Sequence, residues 1–203
     1  MTRWVGEIPA CAGMTRVFRN DVILLLHDKK TSLTLKLHAT NPRPKTSQNK
    51  PKMPDNIKKF QALPPEQKRL FLQAYRLLGT MRFAILTRKF KSLVSSLEMH
   101  REGYKQPPLT EGEMATAHQI GWAVRKAAQF TPWKSTCLVQ VLAAQRMLYQ
   151  RGIAGAFYLG ATNSTNGDQQ TLSAHAWLQC NQDFITGEPG HEQFIVVSTF
   201  SWL

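Results

Sequence analysis

Long hydrophobic runs are missing from this chain. The longest clean one, Val22-Ile23-Leu24-Leu25-Leu26, falls far short of the roughly 20 apolar residues that span a bilayer. The N-terminus also lacks the ordered charged, apolar and small-residue regions of a secretory signal. Cysteine is scarce: Cys11, Cys137 and Cys180 form an odd set that excludes a disulfide scaffold and suits a reducing cytoplasm. No Cys/His set has zinc-ligand spacing and no Gly-rich phosphate loop is present, so neither a metal nor a nucleotide cofactor is expected. The last third is also short of basic charge, with 2 Lys/Arg against 4 Asp/Glu in residues 137–203.

What is present is enough for a packed core: 203 residues, 42% apolar and 9% aromatic. The net charge of +13 sits wholly in the first two thirds, with 12 Lys/Arg against 4 Asp/Glu in residues 1–60 and 12 against 5 in residues 61–136. This basic charge is not interleaved with aromatics or with a reading motif, so nucleic acid is not indicated. It reads first as a solvated face and a basic tail, with an acidic peptide, an anionic membrane surface or RNA as the other attractions to weigh.

Residues 1–56 differ from the rest. Val22 to Leu26 and the alternating Leu33, Leu35 and Leu37 predict two strands around a turn at 27–30. Residues 40–56 hold four prolines and few apolar side chains and read as a linker. The stretch Ile8 to Thr15 resembles the translation of a dispersed bacterial genomic repeat, which implies a true start downstream, at Met53. Residues 57–203 then form one expected domain, with a helical part at 57–132 and a catalytic core at 133–203.

Over 57–98 an apolar stripe at helical spacing (Leu70, Ala74, Leu77, Leu78, Met81, Ile85, then Leu86, Phe90, Leu93, Val94, Leu97) predicts helix, opened by Pro64-Pro65. Its Lys and Arg face suits solvent or, as an alternative, a membrane surface. A break is expected at Gly79 or at Thr87-Arg88-Lys89. Thr110 and Glu113 have capping-box spacing and open a second helix through about Gln129, while Ser135 or Thr136 opens a third that runs to Arg151-Gly152. Beyond it come short strands at Ala156–Leu159, Ala174–Cys180, Phe184-Ile185 and Phe194–Phe200, with a polar loop from Asn163 to Thr171. Helices followed by an antiparallel sheet make an α+β fold.

Cys137 falls in the first turn of the third helix, where backbone N–H groups and the positive dipole end favour a thiolate and can hold an oxyanion. A buried structural cysteine is the plainer alternative. His175 starts the strand Ala174–Cys180, and a strand packed against the cysteine helix brings a general base to a nucleophile; here the alternative is a core histidine. His191 is a further, weaker candidate. Cys180, five residues from His175 on an alternating strand, is expected on the opposite face.

The segments Trp133-Lys134-Ser135-Thr136-Cys137-Leu138, Gln150-Arg151-Gly152-Ile153, Phe157-Tyr158-Leu159-Gly160 and Ala174-His175-Ala176-Trp177 resemble, in this order, the transglutaminase-like leader peptidases of lasso-peptide biosynthesis, the microcin-processing type. Ile185 to Phe194 and Val196 to Phe200 are similar to one branch of that family, and the likeness spans about residues 58–201. It implies a cysteine peptidase that removes the leader of a ribosomally made precursor peptide, with Cys137 as nucleophile and His175 as base. It also implies a separate leader-recognition protein and an asparagine-synthetase-like cyclase as partners; the alternative readings are an acyl transferase using the same Cys–His pair and a non-catalytic module that docks on a cyclase or a membrane. An acidic residue orients the imidazole in that family. Taking Asn181-Gln182 as a two-residue turn, strand register sets Cys180 opposite Asp183, Trp177 opposite Thr186 and His175 opposite Glu188. Glu188 is therefore the expected third residue, with Asp183 and Asn181 as alternatives.

Overall fold

The computed structural model describes residues 58, 60–100, 104–166 and 169–202. The expected hairpin at Val22–Leu37, the linker at 40–56, the repeat-like stretch and Cys11 lie outside the described residues. Helix α1 (Pro65–Thr87) begins with proline at its first position and Glu66 in its first turn, and buries Leu70, Ala74, Leu78 and Ile85. Proline there forfeits no intrahelical hydrogen bond, and the carboxylate suits the positive end of the dipole. The helix stops where Arg88 turns extended (φ −121°, ψ 151°), the second of the two expected break points. Leu86 therefore does not continue the core stripe: one residue past Ile85, it is turned about 100° around the axis and is 61% exposed. The chain resumes in the single turn α2 (Phe90–Leu93) and then forms strand β1 (Glu98–His100). That strand corrects the expectation of helix through residue 98; three residues are too few for alternation to register.

Helix α3 (Glu111–Ala128) carries the expected capping box, Thr110 N donating to Glu113 Oε2 at 2.8 Å and Glu113 N to Thr110 Oγ1 at 3.3 Å. Helix α4 (Cys137–Tyr149) is buried along nearly its whole circumference; only Gln140, Arg146 and Tyr149 escape. It packs against α1 and α3 on one side and against three strands on the other. A helix apolar all round belongs in the middle of a domain, and this one holds helices and sheet together.

The sheet is antiparallel, in the order β1-β5-β2-β3-β4, with β2 at Gly155–Asn166, β3 at Gln169–Cys180, β4 at Asp183–Thr186 and β5 at Ile195–Trp202. The stretch Asn163 to Thr171 is mostly ladder rather than loop, since β2 and β3 stay in register out to Asn166 opposite Gln169. Backbone pairing needs no apolar side chains, so composition hid this half of the hairpin. Strand β4 lies at one edge, yet β5 pairs with β2. The segment between them, 187–194, must therefore cross both β3 and β2.

Candidate active site

Three devices position Cys137. Trp133, four residues earlier, packs its ring 5.7 Å from that of Tyr75 on α1 and anchors the approach to α4. Thr131 and Ser135 tie that approach together through a 2.9 Å hydroxyl–hydroxyl bond. Thr136 then occupies the N-cap position without a side-chain capping bond. Cys137 is the first helical residue and is 7% exposed. A thiol here lies at the positive end of the dipole, among donors suited to thiolate and oxyanion alike.

His175 lies in β3 opposite Gly160 of β2 and is also 7% exposed. Helix α4, headed by the nucleophile candidate, packs directly on β3, the strand that carries the imidazole candidate.

Along β3, Ala176, Leu178 and Cys180 join the hydrophobic core while His175 and Trp177 alternate with them. The crossing segment covers these two. Phe194 lies 5.1 Å from the His175 ring, Trp177 lies 5.9 Å from it, and His191 lies 5.7 Å from Trp177. Gly160 gives the cover room: a Cβ there would stand 2.7 Å from Cβ of Phe194. His175 Nε2 lies 2.7 Å from the carbonyl oxygen of Gly187. A carbonyl only accepts, so Nε2 carries the proton and Nδ1 of the neutral ring carries the lone pair.

The expected register needs correction. Cys180 does oppose Asp183, but a bulge between Leu178 and Gln179 sets Thr186 opposite Leu178 instead of Trp177, and β4 ends there. His175 therefore has no ladder partner in β4, and Glu188 follows a left-handed Gly187 (φ 78°). The Glu188 side chain is exposed, and its charge acts on Arg125, opposing the drop in guanidinium pKa that partial burial produces. That same guanidinium donates to the Ile185 carbonyl. Asp183 is paired with His118 at 2.9 Å. Asn181 forms the turn (φ 53°), its N–H held by Gln106 Oε1 at 2.7 Å. His191 directs Nδ1 to the Glu188 carbonyl at 2.7 Å.

Sequence reasoning missed the main-chain oxygen of Gly187 altogether. Its one visible signal was two glycines in a short segment, Gly187 and Gly190, both with positive φ. Cys180, fully buried, has its thiol pKa pushed up to about 12, first by burial and then by the charge of Asp183. No His/Cys/Asp/Glu group among the described residues has metal-binding geometry, and no helix there is long and apolar enough to cross a membrane.

A helix-capped cysteine packed on a histidine-bearing antiparallel sheet defines a class, and comparison with known families agrees with it. The family model described as transglutaminase-like superfamily matches residues 77–199, and the chain belongs to that superfamily. No curated protein and no solved structure matches it.

Proposed function

We propose that the protein is a cysteine peptidase that removes the leader from a ribosomally made lasso-peptide precursor before ring closure. The observation that carries this reading is the thiol in the first turn of α4, a helix that packs on the strand bearing a buried, carbonyl-bonded imidazole. His175 takes the thiol proton, and Cys137 sulfur attacks the scissile carbonyl. First-turn N–H groups hold the resulting oxyanion. The imidazolium returns its proton to the leaving amine, and water then hydrolyses the thioester. The partners in this reading are the precursor, a separate recognition protein and an asparagine-synthetase-like cyclase, all in the cytoplasm.

Membership of the transglutaminase-like superfamily favours one rival, acyl transfer by the same pair to an amine. Mass spectrometry of precursor incubated with the purified protein and recognition protein separates the two. Hydrolysis yields leader and core peptides of summed mass plus one water; transfer yields an amine adduct. Intact precursor in the presence of the recognition protein overturns the peptidase reading.

A further inference from the structure

We infer that the carbonyl of Gly187, and not Glu188, is the group that orients the His175 imidazole. The inference rests on the Cys–His reading above and assigns its third position. The 2.7 Å bond from Nε2 fixes both the tautomer and the ring plane. Topology explains why a main-chain atom is there. The chain leaves β4 at Thr186 and must turn across β3 to reach β5, so its first peptide passes beside the imidazole.

Three features hold that carbonyl in place. Gly187 has φ 78°, and a Cβ on it would stand 2.4 Å from the Ala176 carbonyl oxygen and 2.8 Å from Cα of Trp177. No side chain fits without moving the peptide. The next turn is braced by His191, which bonds the Glu188 carbonyl through Nδ1, and by His191 N–H donating to the same oxygen at 3.3 Å. Phe194 then closes over the imidazole, its ring 5.1 Å away. Gly187 is thus a positioning residue. A neutral carbonyl orients the ring as a carboxylate does, but adds no negative charge to stabilise the imidazolium.

Nitrogen-15 NMR of the His175 ring, on the full chain carrying Cys137→Ser, tests this directly. The neutral ring is expected as the Nε2–H tautomer. Glu188→Gln in the same background is expected to move the His175 titration midpoint by less than about 0.3 unit, where loss of an orienting carboxylate would lower it by about 1 unit or more. An Nδ1–H tautomer, or a midpoint lowered by a full unit, overturns the inference. In the active chain, Glu188→Gln is expected to keep kcat within about threefold, against the 100-fold or greater loss typical when a group that acts with the base is removed. Gly187→Ala is expected to lower kcat by at least that 100-fold with KM nearly unchanged. The Glu188 and NMR arms decide the matter even if the alanine variant fails to fold. The NMR arm also reads out whether or not leader cleavage occurs, so its failure is distinct from failure of the peptidase reading.

Discussion

The two described cysteines are both buried, and their neighbours make them opposites. Cys137 stands at the first position of a helix, among backbone donors and beside the sheet that carries His175. Cys180 ends β3, where burial and the Asp183 charge push its pKa up to about 12. Burial alone therefore separates nothing here. A thiol at a helix N-terminus meets a positive potential; a buried thiol at a strand end, near the charge of an exposed carboxylate, meets a negative one.

The largest effect expected from breaking this contrast is on turnover. Cys137→Ala or His175→Ala should abolish leader cleavage, measured by mass spectrometry of the precursor, while the melting curve stays close to that of the unmodified protein. Either loss should be nearly as severe as both together, because nucleophile and base act as one unit. Retained cleavage by Cys137→Ala removes the contrast. The next effect is on stability. Leu178→Ala, on the core-facing row of β3, should destabilise by about 2–5 kcal/mol, read by denaturant titration.

A sharper reading of the same contrast comes from alkylation. Iodoacetamide at pH 7 followed by peptide mapping should label Cys137 and leave Cys180 unlabelled until the protein unfolds. The Cys180 thiol ionises more readily in the unfolded chain, near 9, than in the fold, near 12. Its contribution to stability is complete below about 9 and lost as pH climbs to about 12. Cys180→Ala should flatten that alkaline decline while leaving cleavage intact, checked by unfolding at pH 8 and pH 11. The smallest effect is expected from deleting residues 1–52, which should change neither melting temperature nor cleavage rate. A large fall in either would tie the segment near Val22 and Leu35 to the domain.

Local signals carried most of the helical reading. The Thr110–Glu113 capping box, the proline-led start of α1 and the break at Arg88 are all set within a few residues, so spacing alone exposes them. The positions of Cys137 in a first turn and His175 on a strand were legible for the same reason. Strand β1 was not, because three residues acquire strand geometry only by pairing with β5. The outer half of the β2–β3 hairpin was hidden by its polar composition. The residue expected opposite His175 was misplaced in register because pairing was extended uniformly from the Asn181 turn. One bulge at Leu178/Gln179 shifts everything beyond it, and nothing in the sequence marks it.

The sequence by itself determined the α+β order, the central apolar helix with a cysteine at its head, and the uneven basic charge. Each depends on residue type and local spacing, which the chain carries whatever its partners. Tertiary structure alone decided what surrounds the imidazole. Because β5 pairs with β2 while β4 flanks β3, the chain must cross β3 and β2. That crossing brings a glycine carbonyl and Phe194 onto the ring. Main-chain oxygens are the same at every residue, so only the path of the backbone selects which one acts.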